Sequence, residues 1–308
     1  MYQVLKKETL APNIVFMRFE APKVAQSARP GQFVIIRADD KGERIPMGLS
    51  GWDRELGTID IVFYVLGTST AKLAALGVGD SATNIAGPLG TASEIEKYGT
   101  VICACGCFGI GPTIPLIEAL KEAGNEVITV VEGRGPDFIF WVERLKEYSD
   151  EVHVLTGCGR PGWANEFIED LLASGRKVDK VFVHGCPFMM KVSSDATMPS
   201  GIDTVVSLTP IMVDGTGMCG ACRVEVSGKT QFACVDGPDF DGHKVNWDGM
   251  VLRLRQFIPE EDKSFNIWER DNWHKLISKP HKPPNPEKLI VNSKGKSKDE
   301  HHGACYST

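Results

Sequence analysis

The spacing Asp214-x4-Cys219-x2-Cys222-x11-Cys234 constrains this chain more than any other feature. A plant-type [2Fe-2S] site reads Cys-x4-Cys-x2-Cys followed by a distant Cys. That frame is kept here, with Asp214 where the first cysteine would stand. Gly215, Thr216, Gly217, Met218, Gly220 and Ala221 fill the intervals. Mostly small residues let a loop wrap inorganic sulfides and aim its N–H groups at them, which tunes the potential. The spacing predicts that Asp214, Cys219, Cys222 and Cys234 ligate a [2Fe-2S] cluster and carry one-electron chemistry. Two alternatives stay open. Cys-x2-Cys also suits zinc, with His243, nine residues after Cys234, as a further ligand. The three cysteines could also be plain buried thiols.

A chain of 308 residues has room for two or three domains, and 42% hydrophobic with 24% charged residues is an ordinary globular balance. The net charge of −6 argues against a nucleic-acid footprint. No apolar run is long enough for a membrane span, and MYQVLKKETL has no apolar signal core, so a cytoplasmic protein is expected. Nine cysteines, clustered and odd in number, do not read as a disulfide scaffold. Cys103, Cys105 and Cys107 alternate along one expected strand and read as small hydrophobes. Cys158, Cys186 and Cys305 have no partner at ligand spacing.

The expected fold is multi-domain. Residues 1–98 read as a small antiparallel β-barrel, with strands QFVIIRA and TIDIVFYVL punctuated by glycines. Residues 99–208 alternate strand and helix, which argues for a parallel α/β sheet: TVICACG, PTIPLIEALKEAG, EVITVVEG, FIFWVERLKEY, EVHVLTG, ANEFIEDLLASG, KVFVHG and TVVSL. Residues 209–250 hold the cluster segment, where Ser227-Gly228 joins two short strands and brings Cys222 near Cys234. Residues 251–308 read as a tail, extended or wrapped on a partner. Pro, Lys and Ser dominate it from Lys279, and His301, His302 and Cys305 belong to a solvated end.

Two stretches of the barrel suit a flavin. Arg44-Ile45-Pro46-Met47-Gly48 follows a strand, and an arginine there can fork onto a pyrophosphate. Phe63-Tyr64-Val65 runs into Gly67, Ser69 and Thr70 at a helix start, where small hydroxyl residues can hold a phosphate. In the second domain Gly106, Gly109, Gly111 and Pro112 link a strand to a helix, a turn that can take a dinucleotide pyrophosphate or serve packing alone. Taken singly, Arg44 reads equally as a surface charge and Tyr64 as a packed strand residue.

The order of barrel, α/β domain and cluster segment resembles the ferredoxin–NADP reductase superfamily. PGQFVIIRADDKGERIP, GTIDIVF, GDSATNIAGPLG and PIMVDGTGMCGACRVEVSGKTQFACVDGPDFDG narrow the resemblance. They are similar to the small-subunit family of NADH-dependent ferredoxin:NADP oxidoreductase, also called sulfide dehydrogenase. Asp214 matches that family's carboxylate ligand. The related dihydroorotate dehydrogenase electron-transfer subunits use four cysteines.

The resemblance implies FAD at Arg44, Ile45, Pro46, Met47, Gly48, Phe63, Tyr64, Val65, Gly67, Ser69 and Thr70. It implies NAD(H) or NADP(H) at Gly106, Gly109, Gly111 and Pro112. Gly87-Pro88-Leu89-Gly90 would close the barrel near the flavin, and Cys186 would lie near a nicotinamide, the alternative being a buried thiol. It further implies an NAD(P)H-linked oxidoreductase subunit passing electrons through FAD and the cluster to a larger partner. That partner would be a flavin and iron–sulfur subunit of glutamate synthase small-subunit type, with ferredoxin or other redox subunits beyond it. An adapter without nucleotide turnover is the alternative, and a dihydroorotate dehydrogenase subunit the third. Two departures matter. Met47-Gly48 replaces a hydroxyl residue expected near flavin N5. Cys105 and Cys107 replace glycines of the nucleotide loop, which predicts weakened nucleotide binding.

Overall fold

The computed structural model describes residues 2–157 and 159–272. Cys158 and the stretch from Lys279 onward, with His301, His302 and Cys305, lie outside them. The first unit is a nearly closed, seven-stranded antiparallel barrel. Its strands are β1 (Tyr2–Ala11), β2 (Ile14–Glu20), β3 (Phe33–Arg37), β4 (Ile45–Asp53), β5 (Thr58–Tyr64), β6 (Ser81–Ala82) and β7 (Asn84–Leu89), in the order β6-β1-β2-β5-β4-β3-β7. Helix α1 (Pro22–Ser27) precedes β3, and α2 (Thr68–Ala75) follows β5. Val15, Met17, Phe19, Ile36, Leu49, Ile59, Ile61 and Phe63 fill the barrel core.

The second unit is a sheet ordered β10-β9-β8-β11-β12-β15. Strands β8 (Thr100–Gly106), β9 (Glu126–Glu132), β10 (Glu151–Leu155), β11 (Lys180–His184) and β12 (Thr204–Ser207) are parallel, and β15 (Asp239–Asp241) closes one edge antiparallel. Strands β8, β9 and β11 are buried almost throughout, as both-faced burial of a parallel sheet demands. The covering helices are α3 (Ile110–Glu122), α4 (Val142–Lys146), α5 (Ala164–Ala173) and α6 (Pro187–Thr197). Helix α3 buries Ile110, Ile114, Ile117 and Leu120, one stripe at helical spacing.

One expected helix is cut short. FIFWVERLKEY is helical only over Val142–Lys146, because Trp141 sits at φ 56° in the left-handed region. The Trp141 ring meets Phe16 of the barrel edge-on at 5.5 Å, and aromatic packing between the two units overrides local helix preference.

In the cluster segment, β13 (Arg223–Val226) and β14 (Lys229–Phe232) form the expected hairpin. Ser227 at φ 54° and Gly228 at φ 70° give it a type I′ turn. Helix α7 (Trp247–Leu254) follows, and α8 (Ile258–Asn272) lies on α2, where Thr68 Oγ1 and Ser264 Oγ are 2.8 Å apart. Phe265 and Trp268 of α8 pack against the barrel core. Among the described residues no helix is long and apolar enough to cross a membrane.

Candidate functional site

The loop carrying Asp214 and Cys219 is seated on the barrel wall. Gly215 is at φ 78°, and a Cβ there would meet Leu89 Cδ1 at 2.6 Å and Ile35 Cγ1 at 2.9 Å. Only glycine allows that approach in that conformation. Arg44 ties the loop down from the other side. Its Nε donates to Val213 O at 2.6 Å and its Nη1 to Asn84 Oδ1 at 2.9 Å. Arginine carries five N–H donors, so a fork on the Nη edge is left for a further acceptor.

The donor groups come as two pairs. Cys222 Sγ and Cys234 Sγ, both buried, are 3.2 Å apart. The Asp214 carboxylate accepts from Cys219 N at 2.9 Å and Thr216 N at 3.1 Å. Ala221 N donates to Cys219 Sγ at 3.5 Å. Slight burial raises the Asp214 carboxyl, but the N–H groups of Thr216 and Cys219 outweigh it and hold the carboxyl below its ordinary value. Burial, then the neighbouring Cys222, pushes the Cys234 thiol up to about 12. A bound cation is what deprotonates such a thiol.

Among the described residues, no three Cys, His, Asp or Glu side chains meet around one point, as zinc would require. A [2Fe-2S] rhomb is different. Each tetrahedral iron spends two positions on sulfide and takes two protein ligands, so its donors should come as separated pairs. The pairs Asp214/Cys219 and Cys222/Cys234 fit that group. The loop rim is apolar and open, with Met218 89% exposed.

The barrel residues expected at FAD divide by orientation. Ile45, Pro46, Met47 and Gly48 lie on β4 opposite Ile36, Ile35, Val34 and Phe33 of β3. Met47, Phe63 and Val65 turn into the barrel core, so only their backbone can face a ligand. Thr70 Oγ1 accepts from Leu66 N at 3.0 Å and Gly67 N at 3.1 Å, closing the turn that starts α2 beside Ser69. That hydroxyl is spent on the backbone. Tyr64 is half-buried, which raises its phenol, and it interacts with Asn13 and Arg134.

The glycine-rich turn is packed hard on both sides. A Cβ on Gly109 would fall 2.2 Å from His184 O, and one on Gly111 would fall 2.4 Å from Ser50 Oγ and 2.8 Å from Val62 Cβ. Pro112 lies against Gly48, whose added Cβ would be 3.2 Å from it. Gly48 of the barrel and Pro112 of the α/β unit are thus brought together, which the sequence did not announce. Cys105 is fully buried in the sheet below the turn and takes no room from a ligand there. Cys107 does stand in the turn, at φ 55°. It meets Cys186, Arg134 and Glu132 at the carboxyl ends of β8, β9 and β11, facing Tyr64 of the barrel. In open α/β sheets this end is where ligands bind. Burial pushes the Cys107 thiol up to about 12 and the Glu132 carboxyl up to about 7, although Ala164 N donates to Glu132 Oε2 at 2.9 Å. Cys186 caps α6, accepting from Met189 N at 3.4 Å.

Comparison with known proteins follows this architecture. Residues 209–246 match the iron-sulfur cluster binding domain of dihydroorotate dehydrogenase B. An uncharacterized protein from the adh 3' region of Clostridium beijerinckii is 42% identical over 285 residues, covering 89% of this chain and 96% of that one. A dihydroorotate dehydrogenase B (NAD(+)) electron transfer subunit homolog of Thermotoga maritima is 42% identical, covering 85% and 94%. A solved structure of NADH-dependent reduced ferredoxin-NADP oxidoreductase superposes with a TM-score of 0.82 at 41% identity, covering 87% of this chain and 98% of that one. An Amycolatopsis cytochrome P450 reductase, at 16% identity and a TM-score of 0.54, shares the fold alone. The chain belongs to the ferredoxin reductase-like family of electron-transfer subunits that includes those of dihydroorotate dehydrogenase B.

Proposed function

We propose that this chain is the flavin and iron–sulfur electron-transfer subunit of an NAD(P)H-linked oxidoreductase complex. The observation that carries the reading is contact: the loop with the two ligand pairs is fastened to the barrel by Gly215 and Arg44. FAD and a [2Fe-2S] cluster are the cofactors. Bound FAD supplies exchange between two-electron and one-electron transfer, and a bound cluster supplies single-electron relay.

The chain's own residues bind and orient. Asp214 and Cys219 would hold one iron, Cys222 and Cys234 the other. Arg44 keeps its free Nη fork for the FAD pyrophosphate while its other donors hold Val213 and Asn84. The β4 backbone at Pro46–Gly48 and the α2 start at Gly67–Thr70 line the rest. Gly106, Cys107, Arg134 and Cys186 border the nucleotide cleft. Cys107 occupies a left-handed turn position that glycine would leave open, so NAD(P)H binds more weakly than with glycine there. The proposed units are 1–98, 99–208, 209–250 and 251–308, the last starting in the helices α7 and α8 and not as an extended arm. The partner is a larger flavin and iron–sulfur subunit of glutamate synthase small-subunit type, and the complex works in the cytoplasm. The adapter reading gains support only from Cys107, and dithionite against NADH as reductant separates the two.

The test is anaerobic co-purification with iron, sulfide and flavin assays on native chain, Cys222→Ser and Asp214→Cys. The native chain should carry FAD and a [2Fe-2S] spectrum. Cys222→Ser should lose iron and sulfide. Asp214→Cys should keep the cluster at a shifted potential, because a soft thiolate replaces a hard oxygen. Full iron and sulfide in Cys222→Ser would overturn the ligand assignment, and zinc in the native chain would overturn the function.

A further inference from the structure

The outer carbonyls of the cluster loop draw arginines. Arg44 holds Val213 O from the barrel, and two more hold the other arm. Arg223 Nη1 donates to Gly220 O at 2.7 Å, and Arg253 Nη2 donates to Ala221 O at 2.9 Å. These are the carbonyls of the two residues between Cys219 and Cys222.

Peptide geometry gives these contacts a direction. In a trans peptide the C=O and the N–H point opposite ways. The Gly220–Ala221 peptide has its N–H on Cys219 Sγ at 3.5 Å and its C=O on Arg223. The Ala221–Cys222 peptide has its C=O on Arg253, so its N–H faces away from that guanidinium. A cation on a carbonyl polarises the peptide and strengthens the N–H behind it. Gly220 sits at φ 66°, and a Cβ there would lie 3.0 Å from Arg223 Nη1, so glycine lets the guanidinium close on the loop.

Arg253 arrives from outside the loop, on α7. Asn246 N donates to Glu225 O of β13 at 2.9 Å, and Asn246 Oδ1 caps the helix by accepting from Gly249 N at 3.0 Å. Trp247 and Met250 then enter the core that holds Cys222, Val224 and Cys234. Arg253 follows Met250 by three residues, in the last turn, and reaches Ala221. The helix is thus fastened to the hairpin at its start and to the cluster loop at its end.

Neither charge is neutralised within the chain. Among the described residues Arg223 and Arg253 form no ion pair. Arg253 is half-buried, and its Nε is shielded from solvent with no hydrogen-bond partner. A shielded cation ordinarily has an anion to meet. Three thiolates and a carboxylate would make the occupied loop that anion, and an added electron deepens its charge.

We propose that Arg223 and Arg253 are positioning residues for the cluster: they clamp Gly220 O and Ala221 O outward, set the N–H groups behind them toward the ligand sulfurs, and make the cluster easier to reduce. The proposal rests on Asp214, Cys219, Cys222 and Cys234 as its ligands. The sign follows from charge. Hydrogen bonds to the sulfurs and nearby cations both favour the reduced, more negative form, so losing either lowers the potential.

The experiment compares full-length native chain with Arg253→Gln, Arg253→Lys and Arg223→Gln. Iron and sulfide are assayed, and the cluster and flavin midpoints are read in one anaerobic redox titration. Both glutamine variants should keep iron and sulfide and show a lowered cluster midpoint, with the flavin midpoint unmoved. Arg253→Lys, which keeps the charge, should fall less. Hydrogen exchange across residues 219–223 of the loaded chains should rise in the same order. Equal cluster midpoints in the native chain and both glutamine variants would overturn the proposal and leave the ligand assignment standing. A native chain without iron and sulfide would overturn that assignment and the proposal together. A flavin midpoint displaced as far as the cluster's would show a general loss of packing and overturn the positioning role. Arg223→Gln and Arg253→Lys test the clamp independently, so the question is decided even where Arg253→Gln does not fold.

Discussion

Arg44 shows how much a single residue hides from sequence reading. Its place after a strand and before Pro46 marks it as a phosphate partner, yet nothing local announces the bond to Val213 O, 169 positions away. A contact of that range is fixed by the fold, not by neighbours in sequence. The expected outcome of Arg44→Ala is therefore double: flavin-poor protein and a cluster that bleaches faster than in the native chain. Losing a desolvated charged contact costs about 2–5 kcal/mol. Flavin and iron assays on anaerobic preparations check it, and Asn84→Ala, which removes only one acceptor, should show the milder loss. Glu132 was equally silent in sequence, since its burial comes from β9 entering a covered sheet. Its folded pKa of about 7 lies above the ordinary 4.5, so its contribution is full below 4.5 and lost as pH rises to about 7. Glu132→Gln keeps the acceptor for Ala164 N and removes the charge. It should leave stability unchanged in acid and raise it above neutral pH, by about 3 kcal/mol at most, in chemical unfolding at several pH values.

At the scale of elements, periodicity and punctuation did most of the work. The alternation TVICACG, EVITVVEG, KVFVHG against amphipathic runs gave β8, β9 and β11 with their helices, and Ser227-Gly228 gave the β13–β14 hairpin. Two elements escaped. The antiparallel β15 joins β12 across some thirty residues, a pairing with no local signature. The helix α8 reads as polar, and its anchorage rests on two half-buried rings, Phe265 and Trp268, stacked at 6.4 Å. Replacing both by alanine should release α8 from α2. Half-buried aromatics make this about 1–3 kcal/mol, less than for full burial. The measurement is thermal unfolding with the cluster spectrum followed in parallel. A lowered Tm with an unchanged cluster spectrum is expected, because α8 rests on α2 and the barrel core.

Across the whole molecule, function depends on how the units are pressed together, and small residues set that distance. The sequence supplied the order of units but not their contacts. Gly109 and Gly111, which read as phosphate binders, are also closely packed, one against the His184 backbone and one against Ser50 and Val62. Gly111 is the sharper case. It starts α3, where helix propensity favours alanine by about 1 kcal/mol, so a helix considered alone would gain from Gly111→Ala. The added Cβ would instead lie 2.4 Å from Ser50 Oγ, inside contact distance, on a barrel strand with no slack. Overpacking of this kind costs about 1–3 kcal/mol and exceeds the propensity gain. The predicted consequence is a lowered Tm and slower reduction of bound flavin by NADH, as the turn moves off β4, with direct dithionite reduction of the cluster unaffected. Ser50→Gly removes the hydroxyl that the new methyl meets. In the double variant, stability and NADH reduction should both recover in part, because the contact with Val62 Cβ at 2.8 Å remains. A double variant no more stable than Gly111→Ala alone would remove the Ser50 hydroxyl from the cause of the loss and leave Val62 as the contact to relieve.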